Sequence, residues 1–277
     1  MAALTERITA SGHGLWLDYG AYAGRLLANG AVPWLDVDAA SGWMRKAQSL
    51  LKSDVVTLPA GAVVNDWTRS HPELVTAMGA KRRTVFALKT LLADEPLRAH
   101  LVSLARVLRS SLGGSSLVLA LPSPRLWVGQ AYAQANQGEA AEVDADAVDS
   151  AAAYVADFLR GFADCGLDGL LLEESAESEP ASAEDLRLYQ AVFNVAAHYR
   201  WDVGLRLPQG RLAAGGEGLG FVLAPNPAQG VAVGLKVPAE FWDGGAPPAC
   251  PAGGFRFAEI PANANPEGVL ERLAVLR

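Results

Sequence analysis

A small residue stands two positions before a basic residue at three places in the sequence. The three pairs are Ala87-x-Lys89, Gly204-x-Arg206 and Gly234-x-Lys236. Each pair ends a segment that predicts a β-strand, and alternate side chains of a strand point to the same face. Small residues suit the crowded interior of a barrel. We therefore expect Lys89, Arg206 and Lys236 to lie inside its mouth and to hold an anion.

Acidic residues at other predicted strand ends supply counter-charges. Glu173 and Glu174 end one predicted strand, and Glu259 lies near the end of another. Unpaired buried cations cost several kcal/mol each, so these glutamates, a bound anion or both must face the bases. Glu173 and Glu174 are neighbours, so only one can point inward, and the sequence leaves open which. The alternative is that the bases form structural salt bridges or project into solvent.

Three further residues are candidates for a site. Asp66, in Asn65-Asp-Trp67, could act as a general acid or base, although aspartate is also common in turns. Trp127 and Tyr132 could wall a pocket, although both residue types also pack cores. Ser123 lies between two prolines, which indicates a rigid turn rather than a nucleophile.

The order of the predicted elements favours a single (β/α)8 barrel of the TIM type. Eight apolar segments predict strands at residues 54–60, 83–89, 116–122, 168–174, 202–208, 218–225, 230–238 and 255–261. Several are separated by helical patterns, which indicates parallel pairing. One barrel domain would then cover residues 1–277, with a helical extension at about 1–50. A helix is expected to begin near Ser182, and 215–220 reads Gly-Gly-Glu-Gly-Leu-Gly, which indicates a loop.

Composition excludes several classes of protein. The chain has 277 residues, of which 51% are hydrophobic and 19% charged, so one large core is expected and extended disorder is not. A net charge of −7 argues against nucleic acid as a partner. The two cysteines are too few for a disulfide scaffold, and no apolar stretch reaches the ~18 residues that span a bilayer. We expect a cytoplasmic protein without a membrane partner.

One part of the chain resembles a known superfamily. Its motifs are Leu121-Pro-Ser-Pro124, the aromatic residues Trp127 and Tyr132, Phe162-Ala-Asp-Cys-Gly166 and Asp168-Gly-Leu-Leu-Leu-Glu-Glu174. This segment resembles the uroporphyrinogen decarboxylase and cobalamin-independent methionine synthase superfamily. The resemblance implies a TIM barrel and either methyl or alkyl transfer or lyase and decarboxylase chemistry. Related members often dimerise, so it also implies a homodimer or a partner protein.

The chain departs from that superfamily at the metal site. Alkyl-transferring members bind zinc through a His-x-Cys pair and a distant Cys, whereas the fifth predicted strand reads Gly204-Leu-Arg-Leu-Pro208. We therefore expect no metal and no cofactor. The decarboxylase loop that holds substrate carboxylates has a faint counterpart in Trp43-Met-Arg-Lys-Ala-Gln48, where helical spacing favours an amphipathic helix.

Three functions remain open. The leading hypothesis is a metal-free enzyme that binds a small anionic substrate at the barrel mouth, with Glu173 or Glu174 moving a proton. The second is a non-catalytic ligand-binding or accessory subunit that lost the zinc site. The third is a glycoside hydrolase in which Glu173 or Glu174 works with Glu240. Convergent bases suit an anion better than a neutral sugar.

Overall fold

The chain forms a closed β-barrel. The computed structural model describes residues 3–175, 183–208, 212 and 217–277. Eight parallel strands in this part of the chain pair in sequence order, and the eighth pairs with the first. The strands are β1 (Leu15–Asp18), β2 (Val55–Pro59), β3 (Ser116–Pro122), β4 (Gly169–Glu173), β5 (Asp202–Arg206), β6 (Phe221–Ala224), β7 (Ala232–Lys236) and β8 (Phe255–Glu259). The predicted TIM-type (β/α)8 barrel is confirmed.

Helices surround the barrel. They are α1 (Leu4–Thr9), α2 (Gly20–Ala28), α3 (Val37–Leu51), α4 (Ala60–Ser70), α5 (Pro72–Met78), α6 (Thr84–Leu92), α7 (Glu95–Ser111), α8 (Pro124–Ala135), α9 (Ala145–Arg160), α10 (Ala183–Leu188), α11 (Gln190–Tyr199) and α12 (Pro266–Leu276). The leucine stripe of α7 is buried in the hydrophobic core, and Asp94 caps the first turn of the helix. None of the described helices is long and apolar enough to cross a bilayer.

Aromatic side chains fill the barrel interior, and glycines make room for them. Trp16, Phe221, Phe255 and Phe257 belong to one buried cluster inside the strands. A Cβ atom on Gly204 would lie 2.0 Å from the Phe221 ring. Because such an overlap is impossible in a close-packed core, glycine at this position is required by the neighbouring ring.

The first helix closes the end of the barrel where the strands begin. Leu4 and Ile8 of α1 pack into the same interior cluster as the aromatic residues. The Thr5 amide donates to the Asp202 carboxylate at 2.7 Å, and Arg7 forms an ion pair with Asp168 at 2.6 Å. The opposite end, where the strands finish, is called the mouth below.

Two elements differ from the prediction. Residues 83–89, predicted as the second strand, belong to helix α6, because the buried Val85, Leu88 and Leu92 recur at helical spacing. The residue types of Thr84-Val-Phe86 favour a strand locally, but the burial of one face along the whole segment stabilises the helix. Residues 1–50, predicted as a helical extension, contain strand β1 as well as helices, so the count of eight came from two errors that cancel.

Parallel pairing persists across the short links late in the chain. Seven residues, 225–231, connect β6 to β7 without a helix, and the two strands pair in parallel. Seven extended residues span about 23–25 Å, enough to return along a short strand. Between β7 and β8 lies one turn of 3-10 helix, Ala239–Phe241. The predicted helix start at Ser182 lies outside the described residues. So do residues 215–216 of the predicted loop.

Candidate functional site

Five charged side chains meet at the mouth because five parallel strands end there. The residues are Asp18 of β1, Glu173 of β4, Arg206 of β5, Lys236 of β7 and Glu259 of β8. Glu173 and Arg206 are register partners, as are Asp18 and Glu259. In TIM barrels this end of the strands carries the functional residues.

Arg206 lies at the centre of this group. Its Nη1 contacts Glu173 Oε1 at 2.9 Å, and its Nη2 contacts Glu259 Oε1 at 2.6 Å and Asp18 Oδ2 at 3.0 Å. The guanidinium carbon lies 5.3 Å from the centroid of the Phe257 ring. The arginine fork therefore holds three carboxylates from three strands.

Lys236 contacts only one of these carboxylates among the described residues, with Nζ 2.7 Å from Glu259 Oε2. Burial alone would raise the pKa of Glu259, but hydrogen bonds from Lys236 and Arg206 lower it below the ordinary value. Burial alone would likewise lower the pKa of Arg206, whereas the surrounding carboxylates raise it. Both groups are therefore held in their charged forms.

Glu173 behaves in the opposite way. Burial raises its pKa above the ordinary value, Arg206 offsets part of this rise, and the negative charges of Asp18 and Glu259 add to it. The side chain remains 30% exposed, so it can reach a molecule in the mouth. A carboxylate that holds a proton more tightly than usual is a stronger base than an ordinary carboxylate, which suits it to proton transfer.

Glu174 points away from the mouth. It is 9% exposed, and its carboxylate accepts hydrogen bonds from the Ser123 and Tyr189 hydroxyls, both at 2.8 Å. Burial, followed by the nearby Glu174 charge, raises the pKa of Tyr189. Ser123 also caps α8, as the predicted turn implies. Glu174 thus joins the end of β4 to two helices, and Glu173 is the neighbour that faces inward.

A central cavity of about 240 Å³ lies beside the charged group. Five aromatic residues, Trp16, Tyr19, Trp34, Trp43 and Phe257, form much of its wall. The Trp16 indole donates to the Thr57 hydroxyl at 3.0 Å. Asp18, Glu173 and Arg206 are the charged residues of the lining. A mostly apolar cavity with a few converging polar groups is the usual form of a small-molecule site.

The Tyr19 hydroxyl is a further polar group in this wall. Burial raises its pKa, with a contribution from Asp18, so the hydroxyl keeps its proton. This hydroxyl has no hydrogen-bonding partner in the described part of the chain.

A wider groove of about 500 Å³ adjoins the cavity between α4 and α8. We call it the amide groove, because its polar residues include Asn65, Gln130 and Gln134. Glu173 and Ala62 line both the groove and the central cavity. A third hollow, the lysine pocket, contains Lys236, Glu259 and Trp242 and shares Asp18 and Arg206 with the central cavity.

The structure separates the other predicted site residues from the central cavity. Lys89 is exposed on α6, with Nζ 5.6 Å from the Tyr154 ring centroid, because its segment is a helix and not a strand. Asp66 lies within α4, not in a turn, and pairs with Arg69 at 2.9 Å. Glu240 is exposed in the 3-10 turn.

The two predicted aromatic residues lie on α8. Trp127 is 3% exposed, contacts Phe158 edge to face and lines the amide groove. Tyr132 is buried on the same helix and does not line any of the three hollows at the mouth. Trp127 therefore contributes to a pocket wall, whereas the Tyr132 side chain is buried and hydrogen-bonds with Arg82.

The sequence prediction missed Asp18 and most of the aromatic wall. Leu15-Trp-Leu-Asp18 has the same form as the β4 segment, an apolar run that ends in an acid, and this was the available signal. Trp43 lies on the amphipathic helix that the spacing predicts, here α3. Trp34 lies in the link between α2 and α3, where no periodic pattern marks it.

The described residues contain no group of three or more His, Cys, Asp or Glu side chains placed to hold a metal ion. No family model matches the chain, and no curated protein is significantly similar to it.

Proposed function

We propose that the protein is an enzyme that moves a proton to or from a carbon atom of a small molecule bound in the central cavity. The observation that supports this proposal is the position of Glu173. Its carboxyl group, with a raised pKa, lines an aromatic cavity and lies 2.9 Å from Arg206. Lyase or decarboxylase chemistry of this type is also what the superfamily resemblance implies, and methyl or alkyl transfer stays a prediction from that resemblance alone.

The chemistry balances with these residues. The Glu173 carboxylate takes a proton from a carbon atom next to a carbonyl group, so that the C–H bond breaks and an O–H bond forms on Glu173. The electron pair moves to the carbonyl oxygen. Protonated Glu173 binds Arg206 less strongly, and the freed Nη1 donor can stabilise the new oxyanion. In the reverse step the oxyanion re-forms the carbonyl group, and the electron pair on carbon takes the proton back from Glu173 as the O–H bond breaks.

The charge of the site favours a substrate whose reacting end is uncharged. Asp18, Glu173 and Glu259 carry three negative charges when ionised, against two positive charges on Arg206 and Lys236. An anion must compete with these carboxylates for the same donors, in line with the alternative of structural salt bridges that the sequence left open. An anionic substrate stays a prediction, and it is more compatible with the lysine pocket than with the central cavity.

A non-catalytic ligand-binding role is the second candidate. The three ion pairs of Arg206 favour it, because they already occupy both of its terminal nitrogens.

Isotope exchange distinguishes the two functions. Acetophenone, phenylacetone and phenylpyruvate would be incubated with the protein in D2O, and loss of the proton next to the carbonyl followed by proton NMR. We expect faster exchange than in buffer for at least one compound. Glu173→Gln should slow it by about 100-fold or more, the usual contribution of a general base. Glu240→Gln, at an exposed glutamate, is the matched control and should retain full activity.

Two results would count against the enzyme. Exchange no faster than in buffer for all three compounds would favour the binding protein. Exchange that Glu173→Gln leaves unchanged would place the base elsewhere.

A further inference from the structure

The position of Glu173 between two cavities of different chemistry has a consequence for the substrate. The central cavity on one side is walled by aromatic rings, and the amide groove on the other is lined by α4 and α8. Glu173 belongs to both walls. A molecule that occupies both cavities must therefore pass directly beside this carboxyl group.

We propose that the amide groove is a subsite for the uncharged, hydrogen-bonding tail of a substrate whose apolar head occupies the central cavity. This inference rests on the proposed function, because it takes the reacting bond to be the one beside Glu173. The tail would carry hydroxyl or amide groups.

The lining of the groove supports an uncharged tail. Apart from Glu173 at the junction, the described residues that line it carry no charge. Its polar side chains are amides, each of which has both a donor and an acceptor. Such groups match hydroxyls and amides, whereas a phosphate or carboxylate would find no cation there.

Two of these amides are free to bind. Asn65 on α4 and Gln130 on α8 are exposed and form no side-chain hydrogen bond with the described residues. Gln134 differs, because its Nε2 donates to the Thr68 hydroxyl at 2.6 Å. Asn65 and Gln130 stand on the two helices that form the groove, so a tail between them could contact both.

The lysine pocket gives the contrast. It joins the central cavity at Asp18 and Arg206, whereas the amide groove joins it at Glu173, and it contains Lys236. A charged tail would be directed to this pocket by Lys236, and an uncharged tail to the amide groove. The two openings of the cavity therefore select for different tails.

Three phenyl compounds with a shared head test the subsite. Phenol carries the head alone, phenyl β-D-glucoside adds an uncharged hydroxylated tail, and phenyl phosphate adds a charged one. Binding would be followed by the fluorescence of the cavity tryptophans. Each new neutral hydrogen bond improves affinity by about 2- to 12-fold, so two amides predict at least about 5-fold tighter binding of the glucoside than of phenol.

Substitutions then locate the tail. The double variant Asn65→Leu, Gln130→Leu should bind the glucoside no more tightly than phenol, with its affinity for phenol unchanged. Both side chains are exposed, and the retained phenol affinity checks the fold. Gln190→Leu is the matched control, because Gln190 is an exposed amide on α11 that bonds to Asn194 and lines none of the three hollows. It should leave both affinities unchanged.

The outcomes separate this subsite from the proposed function. Failure of phenol to bind would contradict the head site in the central cavity, and with it the proposed function. Phenol binding without a gain for the glucoside would overturn the subsite alone. A gain for phenyl phosphate in place of the glucoside, or a glucoside gain that survives the double variant, would also overturn the subsite.

Discussion

Replacing Arg206 by glutamine removes the cation that holds three carboxylates together at the mouth. Asp18, Glu173 and Glu259 each lie within 3.0 Å of its guanidinium nitrogens. After the substitution, Lys236 is the one cation among the described residues that still contacts any of them, at Glu259. The three negative charges would then repel one another in a partly desolvated space, and the folded state should be destabilised.

The size of the effect follows from the burial of the group. Removing one partner of a fully buried ion pair costs about 3–5 kcal/mol, whereas exposed pairs contribute about 0–1 kcal/mol. The Arg206 side chain is 21% exposed and its partners 30–38%, which places the expected loss between these limits, at about 2–3 kcal/mol. At about 2–4 °C per kcal/mol, Tm should fall by roughly 4–12 °C at pH 8.

The loss should depend on pH. Without the guanidinium, the pKa values of Glu173 and Glu259 rise in the folded state, so the repulsion acts above those values and weakens as these two groups protonate. The difference in Tm between Arg206→Gln and the natural protein should therefore shrink as the pH falls from 8 towards 4.5.

Scanning calorimetry over this pH range measures the effect. Arg69→Gln is the control, because Arg69 also pairs with a carboxylate at 2.9 Å but is 76% exposed, and its loss should stay below about 0.5 kcal/mol. An Arg206→Gln loss no larger than that of Arg69→Gln, or one independent of pH, would refute the electrostatic reasoning.

Four further predictions concern three single positions and the metal content. Glu173→Gln should keep or raise stability at pH 8, because the raised pKa means that folding disfavours the ionised form, and any gain should vanish at acid pH. Glu259→Gln should lower the free energy of unfolding by about 1 kcal/mol at pH 8, allowing for partial exposure. The depressed pKa of Glu259 stabilises the folded state above the unfolded-state pKa, and this stabilisation is lost as the pH falls. Urea titrations in which both variants change stability in the same direction would contradict this. Gly204→Ala should lower the free energy of unfolding by about 1–3 kcal/mol or more, because the new Cβ would overlap the Phe221 ring. In the control Gly268→Ala, on α12, the new Cβ meets nothing within 4 Å, so this change should be neutral or stabilising. Equal melting temperatures for the two variants would show that the interior adapts. Elemental analysis should find no stoichiometric zinc, and one zinc per chain that survives mild chelation would reveal ligands absent from the set of described residues.

The sequence predicted most of the barrel because its strands are short apolar runs buried on both faces. Seven of the eight predicted segments overlap the strands β2 to β8, and the eighth, residues 83–89, falls on a helix with a strand-like start. Strand β1 was missed because four residues give little pattern, and with it Asp18 was missed. The predicted barrel was still correct, because seven strands were placed correctly and the missed strand and the false strand left the count at eight.

The charged part of the site was more predictable than its apolar part. The small-x-base pattern placed Arg206 and Lys236 correctly, because Gly204 and Gly234 do face the packed interior. It failed for Lys89, since alternation applies only to strands. The aromatic wall comes partly from Trp34 in a link and Trp43 on a helix, and only tertiary packing brings such residues together.

The most direct test of the proposed role of Glu173 is the titration of its carboxyl group. Carbon-13 NMR of protein labelled at the glutamate side chains gives the pKa, and Glu173→Gln and Glu259→Gln identify the two signals. We expect a titration midpoint for Glu173 above the ordinary glutamate value of about 4.3 and a midpoint for Glu259 below that value. The Glu173 midpoint should rise further when phenol fills the cavity. A Glu173 midpoint at or below the ordinary value would contradict its assignment as the proton carrier.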